Sequence, residues 1–265
     1  MRSYKFILFF LFAQATFAQQ FEKIAFIESE VRLFTTDELE KVYIAQKDVI
    51  ELYDPDGNFL FKNSGKRFGQ ISSIDATYSL KPIVFFKEQM EMMLLDNTLS
   101  LQGDVVPLDI RGYPQAELVC SSVNNNYWIY DRLNLELVRV NDQFNTIAST
   151  GRLDQLINIA PDPDFLIEYN NWVYLNDPLN GVLVFDIYGT YYKTIPLLGL
   201  SRLQIRGNNI YFFKDGKFQS YNMRSFEQAV LPVPEEDPIH VRKEKDRLFV
   251  QSEKGITIYR IITEK

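Results

Sequence analysis

The stretch NNWVYLNDPLNGVLVFDIYG (170–189) reads as a strand, a turn, a second strand and a second turn. Its strand positions hold Val, Tyr, Leu and Phe, and its turns hold Asn, Asp, Pro and Gly, which is hairpin chemistry. Closely similar text occurs at NNNYWIYDRLNLELVRVND (124–142) and at NNIYFFKDGKFQSYNM (208–223). The chain therefore repeats one hairpin, and such repetition predicts a repeat architecture.

Six copies of the hairpin can be aligned on an aromatic residue in the first strand and a residue that closes the second strand. The aligned pairs are Tyr43–Asp54, Phe85–Asp96, Tyr130–Asn141, Tyr174–Asp186, Tyr211–Asn222 and Phe249–Arg260. The two residues of a pair are 11 positions apart in five copies and 12 apart in the fourth, where Asn180 and Gly181 can lengthen the turn. The closing residues recur after 42, 45, 45, 36 and 38 positions. A repeat of about 40 residues is typical of a propeller blade.

Each repeat has room for four strands. One more strand stands before each of the later hairpins, in SIDATYS, ELVCSS, FLIEY, LQIRG and IHVRK, and another follows the closing residue, as in DPDGNFLFKNSG (54–65) and DIYGTYYKTIPL (186–197). Four antiparallel strands per unit make one blade. The sequence therefore predicts an all-β fold, a six-bladed β-propeller with four-stranded blades.

The two ends of the chain predict how the ring closes. The sixth copy stops at YRIITEK (259–265), one strand short of a blade, whereas FEKIAFIES (21–29) is a spare strand before the first unit. If this N-terminal strand completes the last blade, both open sheet edges are paired. The propeller is then expected to run from Phe21 to about Thr263.

The segment LQIRGNNIYFFKDGKFQSYNMRSFEQAVLP (203–232) resembles the repeat of six-bladed propellers of the NHL and TolB-like kind. LYDPDGNFLFKNSGKRFG (52–69) shows the same ending, and the resemblance extends over the whole chain after the leader. It implies the fold but no single activity, because the superfamily includes protein-binding scaffolds, hydrolases, lyases and sugar or quinone dehydrogenases.

Residues 1–18 have the form of a secretory signal peptide. Arg2 and Lys5 precede the apolar run FILFFLF (6–12), which is too short to span a bilayer, and ATFA (15–18) supplies a small-residue cleavage site. Residues 19–265 are then the propeller domain, with no direct membrane insertion. The expected location is the periplasm, with outer-membrane association or the extracellular space as alternatives; AQQF (18–21) is similar to the same region of exported Bacteroidota proteins.

Charge and cysteine content narrow the possible functions. The chain has 28 Lys and Arg against 35 Asp and Glu, a formal charge of −7, which becomes −9 once Arg2 and Lys5 are removed. An acidic chain without a basic stripe is not expected to bind nucleic acid. Cys120 is the single cysteine, so no internal disulfide can form, and its strand-like surroundings predict a buried thiol.

The sequence shows no catalytic set, and we expect no metal and no cofactor. His240 is the only histidine, and it lies in an inner strand where it would either line the central channel or serve as a structural residue. Asp162 and Asp164 in APDPDFLIEY could bind a ligand, although Pro-Asp pairs also build turns. A carbohydrate- or small-ligand-binding propeller that uses His240, Asp162 and Asp164 at the channel mouth is therefore the alternative function.

Most conspicuous aromatic residues recur in phase with the repeat. Tyr127, Trp128, Trp172, Tyr174 and Tyr211 stand at hairpin starts, which predicts packing between blades rather than a binding platform. Tyr113 is out of phase, so the repeat does not require it.

Loop length predicts the working surface. The longest connections on one propeller face are GDVVPLDIRGYP (103–114) and TGRLDQLINIAPDP (150–163), next to the turns DRLN (131–134) and NDPLN (176–180). Function is concentrated on such loops, and Arg and Tyr among apolar residues are typical of binding hot spots. The residues assigned to this partner-binding surface are Arg111, Tyr113, Arg132, Arg152, Asp154 and Asp177. The preferred function is a non-enzymatic, monomeric propeller that serves as a scaffold for protein partners of the cell envelope.

Overall fold

A computed structural model of the protein describes residues 20–262 and contains six antiparallel sheets of four strands each. The predicted all-β, six-bladed propeller is confirmed. The predicted leader at 1–18 lies outside the described residues. Inner strands of different blades contact one another around the axis, β2 with β6 and β22, and β10 with β6 and β14.

The first three blades take up residues 33–149. Blade 1 consists of β2 (Leu33–Thr36), β3 (Val42–Ala45), β4 (Val49–Tyr53) and β5 (Phe59–Ser64). Blade 2 consists of β6 (Ser73–Asp75), β7 (Ile83–Phe86), β8 (Glu91–Leu94) and β9 (Val106–Pro107). Blade 3 consists of β10 (Ala116–Ser122), β11 (Asn126–Asp131), β12 (Glu136–Val140) and β13 (Thr146–Ser149).

The remaining blades follow a one-turn helix, α1 (Leu153–Leu156). Blade 4 consists of β14 (Phe165–Tyr169), β15 (Trp172–Asp177), β16 (Gly181–Asp186) and β17 (Tyr191–Ile195). Blade 5 consists of β18 (Gln204–Arg206), β19 (Asn209–Lys214), β20 (Lys217–Asn222) and β21 (Gln228–Leu231). Blade 6 consists of β22 (His240–Glu244), β23 (Arg247–Ser252), β24 (Gly255–Ile262) and, as its outer strand, β1 (Gln20–Glu28).

The N-terminal strand closes the ring as predicted. β1 pairs antiparallel with β24, from Gln20 opposite Ile262 to Glu28 opposite Gly255. At the start of β24 a Cβ on Gly255, whose φ is +152°, would lie 2.0 Å from the carbonyl oxygen of Ile27. Only glycine allows the two strands to approach this closely.

The recurring closing residues have a common structural role. Five of them begin the turn between the third and fourth strands, and each side-chain oxygen accepts hydrogen bonds from two backbone N–H groups of that turn: Asp54, Asp96, Asn141, Asp186 and Asn222. The sixth copy has Arg260 instead, because the fourth strand of blade 6 comes from the other end of the chain and no such turn exists. Asp and Asn are the residues that cap turns in this way.

Apolar clusters fill the seams between adjacent blades. Between blades 3 and 4, Trp128 packs with Leu166 and Leu175, and the predicted burial of Cys120 is confirmed there. Burial raises the pKa of the Cys120 thiol well above its usual value. The five aromatic residues that stand at hairpin starts differ in burial. Tyr127, Trp128 and Tyr174 are buried as predicted, whereas Trp172 and Tyr211 keep part of their surface exposed.

Polar groups of the inner strands join neighbouring blades around the axis. Glu244 of blade 6 accepts hydrogen bonds from Thr36 of blade 1, at 2.6 Å, and from Gln204 and the Nε and Nη2 atoms of Arg206 of blade 5, each at 2.7 Å. Glu168 of blade 4 accepts from the indole N–H of Trp128 of blade 3 at 2.8 Å. These buried carboxylates are fully hydrogen-bonded, which is the condition for burying a charge without a large penalty.

Candidate binding surfaces

The ring has two faces, which we name by their connections. The upper face carries the turns between second and third strands and the connections from each outer strand to the next inner strand. The lower face carries the turns between first and second strands and those between third and fourth strands.

Two upper-face turns in consecutive blades share the sequence Asp-x-Leu-Asn. In blade 3 the Asp131 carboxylate accepts hydrogen bonds from the backbone of Leu133 at 3.0 Å and from the side chain of Asn134 at 2.7 Å. In blade 4 Asp177 accepts from the backbone of Leu179 at 2.9 Å and from the side chain of Asn180 at 2.8 Å. Both acids are buried, so each turn directs its polar groups inward.

The leucine at the tip of each turn points to solvent. Leu133 is 54% exposed and Leu179 is 78% exposed. Turn tips in soluble proteins are usually polar, so two leucines at equivalent tips need an explanation. Further exposed apolar residues stand on the adjoining connections: Leu156, Ile159 and Leu198.

Hydrogen bonds join these turns and connections into one surface. The backbone of Leu153 donates to Leu135 O at 2.8 Å, and the Tyr130 hydroxyl donates to Pro161 O at 3.0 Å. The backbone N–H of Asp162 donates to the carboxylate of Asp177 at 2.9 Å. The turn at 178–180 is also hydrogen-bonded to the connection at 196–203. We call this surface the loop sector: residues 131–135, 150–164, 177–181 and 196–200.

Both arginines of the loop sector are paired with acids. Arg132 contacts Asp162 and Glu117, and Arg152 contacts Asp154 at 2.7 Å. The hydrogen bonds from Arg152 hold the pKa of Asp154 below its usual value. The sector therefore offers exposed apolar side chains beside two arginines that are already paired with acids.

The six residues assigned to partner binding lie in two different parts of the structure. Arg132, Arg152 and Asp154 lie in the loop sector, Arg152 exposed and the other two half-buried, and Asp177 lies beneath it as a buried turn residue. Burial alone would raise the pKa of Asp177, but hydrogen bonds from the side chain of Asn180 and from three backbone N–H groups outweigh burial and hold it below its usual value.

The other two assigned residues, Tyr113 and Arg111, contact the rim between blades 2 and 3. Tyr113 is only 8% exposed, belongs to the core between those blades, and its hydroxyl lies 3.2 Å from that of Thr146. The Arg111 guanidinium lies over the ring of Phe144, 5.6 Å from its centroid. Neither side chain contributes to the loop sector.

The three residues of the alternative ligand site do not meet. His240 is buried in the seam between blades 6 and 1, with its ring 5.4 Å from that of Phe34. Burial, with the nearby charges of Arg242 and Arg202, lowers the pKa of His240 to about 3, so the ring is neutral. Asp162 pairs with Arg132 on the upper face, and Asp164 accepts a hydrogen bond from the side chain of Asn176 at 2.6 Å.

The lower face holds three connected cavities, which we call the trough. One of about 280 Å³ lies between blades 2 and 3, one of about 330 Å³ at the mouth of the central channel, and one of about 410 Å³ between blades 4 and 5. Tyr78 lines the first and second, whereas Tyr169 and Asn170 line the second and third. The cavities therefore follow one another across the face.

Aromatic and amide side chains dominate the walls of the trough. The aromatic residues are Tyr78, Tyr127, Tyr169, Trp172, Tyr174 and Tyr192, and the amides are Asn124, Asn125, Asn126, Asn170, Asn171 and Asn208. Loop length did not indicate this region, because the turns that border it in blades 3 to 5 are short. The Asn pairs that start these turns were the available sequence signal.

The carboxylate in the central cavity has a structural role. Glu168 accepts hydrogen bonds from Trp128, Ser122 and the backbone of Val123, and Arg139 donates to the same Ser122 at 2.8 Å. Among residues 20–262, no group of three His, Cys, Asp or Glu side chains is placed to hold a metal ion. In the same range no helix is long and apolar enough to cross a membrane.

The solved structures that resemble this chain are propellers. A catalytically inactive virginiamycin B lyase from Staphylococcus aureus, solved with quinupristin, aligns with a TM-score of 0.61 at 10% identity over 92% of this chain and 99% of its own. BamB from Moraxella catarrhalis aligns with a TM-score of 0.51 at 11% identity over 88% of this chain and 83% of its own.

A third resemblance is to PorZ, a bacterial surface component of the type-IX secretion system of Porphyromonas gingivalis. The TM-score is 0.50 at 14% identity, over 91% of this chain and 34% of that one. At such identities the likeness is one of fold, a β-propeller. No protein-family model matches the sequence, and no curated protein matches it.

Proposed function

We propose that the protein is an exported, non-enzymatic propeller that binds a protein partner of the cell envelope through the loop sector. The observation that carries this proposal is the pair of Asp-x-Leu-Asn turns, which present Leu133 and Leu179 to solvent on a rigid, internally hydrogen-bonded base. Exposed apolar groups on rigid supports bind at low entropic cost.

The chemistry of the sector indicates an apolar segment of a protein as the ligand. Leu133, Leu156, Ile159, Leu179 and Leu198 supply apolar contacts, and the Arg132–Asp162 and Arg152–Asp154 pairs form a polar rim. An apolar centre with a polar rim is the usual anatomy of a protein interface. Because both rim arginines are already paired with acids of the same chain, they should add little salt dependence to the affinity.

Export is supported by the signal-peptide pattern in residues 1–18. PorZ, described as a bacterial surface component of a secretion system, contains a region of this fold and supports an envelope role. Fractionation of the native cell with an antibody to the propeller tests this part separately. Recovery in the cytoplasmic fraction with residues 1–18 still attached would contradict it.

The binding experiment compares three forms of the protein by proximity labelling in the native cell. The test variant combines Leu133→Ser with Leu179→Ser. The matched control is Val230→Ser, because Val230 is also apolar and exposed but lies on the outer strand β21. We expect the wild-type protein and the control to label the same envelope protein, and the double variant to lose most of that label.

Two results would overturn the proposal. Identical labelling by the double variant would show that the loop sector is not the interface. Sedimentation that gives a dimer for the wild type and a monomer for the double variant would show that the sector binds a second copy of the chain instead.

The ligand-binding alternative does not rest on His240, Asp162 and Asp164, which lie apart. A separate observation, the three cavities of the trough, favours ligand binding on the opposite face.

A further inference from the structure

The trough is bordered by asparagine side chains that the fold does not use. Asn124, Asn125, Asn170 and Asn171 have positive φ angles between 50° and 63°, which explains why Asn occupies these turns. Within residues 20–262, however, none of the six trough amides makes a side-chain hydrogen bond to the protein, although all six line the cavities. Each amide presents two donors and an acceptor to whatever fills the trough.

We propose that the trough binds a linear oligosaccharide, and that the pocket between blades 4 and 5 receives a sugar carrying an anionic group. Adjacent donor and acceptor atoms of an amide match pairs of sugar hydroxyls, and aromatic faces match the C–H faces of sugar rings. The site is independent of the protein-binding role, since it lies on the opposite face from the loop sector.

The pocket between blades 4 and 5 has an aromatic platform. The rings of Trp172 and Tyr192 lie 4.9 Å apart at 44°, and Tyr192 is 60% exposed. The hydroxyl of Tyr169 accepts a hydrogen bond from the backbone of Gly207 at 2.9 Å, which holds its ring in place beside them. The platform is therefore preorganised and open on one side.

The same pocket is cationic although the chain as a whole is acidic. Lys193 and Arg224 line it, and no carboxylate does. The Lys193 ammonium lies 5.5 Å from the ring centroid of Tyr192 and 5.8 Å from that of Phe226, so aromatic faces rather than acids surround it. In a chain with a formal charge of −7, two cations without a lining acid favour an anionic group here.

Charge varies along the trough: the cavity between blades 2 and 3 is lined by one cation, Lys81, and the pocket between blades 4 and 5 by two. The central cavity is lined by Glu38, Glu168 and Arg206, so acids outnumber bases there, whereas the pocket between blades 4 and 5 is lined by two cations and no acid and would attract an anionic sugar. The three cavities in sequence fit an extended chain of several sugars. A nucleic acid is disfavoured, because its regularly spaced phosphates would have to pass these two acids.

Tryptophan fluorescence provides a direct readout. The chain has two tryptophans; Trp128 is fully buried in the core, and Trp172 lines the trough. We would titrate the mature protein with a galacturonic acid tetramer, a sulfated galactose tetramer, the neutral galactose tetramer and an oligothymidylate. We expect at least one anionic tetramer to change the fluorescence and to bind at least tenfold more tightly than the neutral one.

Variants locate the site. Tyr192→Ala removes half of the exposed platform without opening the core, and should weaken binding of the anionic tetramer at least fivefold. The pair Lys193→Gln and Arg224→Gln should remove the preference for the anionic tetramer over the neutral one. Tyr188→Ala is the matched control, because Tyr188 is a 72% exposed aromatic of the same blade and face that does not line the trough.

Each remaining outcome overturns the proposal. These are the absence of binding by every tetramer at millimolar concentration, equal affinity for neutral and anionic tetramers, or tighter binding of the oligothymidylate. Equal effects of Tyr188→Ala and Tyr192→Ala would also place the site elsewhere. Leu133→Ser with Leu179→Ser should leave sugar binding unchanged, so failure here and failure of the protein-binding role are distinguishable.

Discussion

In blades 3 and 4, the upper turns and the lower turns between the first and second strands are stabilised in different ways. The upper turns are held by buried carboxylates, Asp131 and Asp177, and expose leucines at their tips. The lower turns at Asn124–Asn125 and Asn170–Asn171 are held by left-handed backbone conformations and leave their amides free. One face therefore presents apolar groups, and the other presents hydrogen-bonding groups.

The difference shows that a turn can be stabilised without using the side chains that it displays. A capping acid occupies its own polar atoms, so the tip residue can be apolar. A left-handed asparagine requires only its backbone conformation, so the amide remains available to a ligand. The chemistry that each of these four turns displays follows from the device that stabilises it.

The largest expected effect is that of removing a buried cap. Asp177→Ala leaves the N–H groups of Asp162 and Leu179 and the side chain of Asn180 without their acceptor, and should lower the free energy of unfolding by about 3 kcal/mol. Urea denaturation measures this change. Asp186→Ala, which removes a lower-face cap with two backbone donors in an exposed turn, should cost about 1 kcal/mol. Equal losses would mean that the buried upper cap contributes no more to stability than the exposed lower cap.

A pH dependence should distinguish the two ends of the seam between blades 6 and 1. At its lower end Glu244 is fully hydrogen-bonded, whereas at its upper end the Nε2 atom of His240 has no partner. The folded pKa of His240, about 3, lies below the unfolded value of about 6.5, so the unfolded chain takes up the proton first. Stability from this residue is complete above pH 6.5 and is lost as the pH falls towards 3.

Lowering the pH from 8 to 5 should reduce the free energy of unfolding by about 2 kcal/mol through His240. The loss is about 1.4 kcal/mol for each pH unit below 6.5. Urea denaturation at a series of pH values measures the loss. His240→Phe, which keeps a ring against Phe34, should remove this part of the pH dependence. Parallel curves for the two proteins would mean that the buried ring can be protonated without unfolding.

A smaller effect should come from the lower turn of blade 4. Asn171 has a φ of +63°, so Asn171→Ala should cost about 1 kcal/mol, whereas Asn171→Gly should change stability by only a few tenths. Thermal or urea denaturation of both variants provides the measurement. If the glycine variant were as unstable as the alanine variant, the amide itself would support the fold and would not be free for a ligand.

The smallest effect is expected at the tip of the upper turn. Leu179→Ser should change the free energy of unfolding by less than about 0.5 kcal/mol, because the side chain is 78% exposed. Urea denaturation of this variant beside the wild type tests it. A loss above 1 kcal/mol would mean that the leucine packs against the fold and is not available for binding.

The sequence was sufficient for the architecture because the repeat is periodic and the closing residues cap equivalent turns. It was less informative about the surfaces, because loop length does not determine side-chain direction. Gly112, with a φ of +98°, turns the chain so that the backbone of Tyr113 bonds to Leu108 O, and the ring of Tyr113 enters the core. Trp172 fits the pattern of core aromatic residues, but it is the first residue of β15 and keeps one side open to the trough.

The strand that closes the ring also sets the order in which the protein can mature. Phe21 pairs with Ile261, 240 positions away, so a chain that emerges from its N-terminus presents β1 first and must leave it unpaired until the end. Joining ends so far apart in a free coil would cost about 5 kcal/mol of chain entropy, but five stacked blades bring them together beforehand. Until then β1 and the edge of β24 are both exposed to foreign strands. Assembly of this ring is therefore most vulnerable to aggregation at its last step, when the final strand has arrived and the first has not yet joined it.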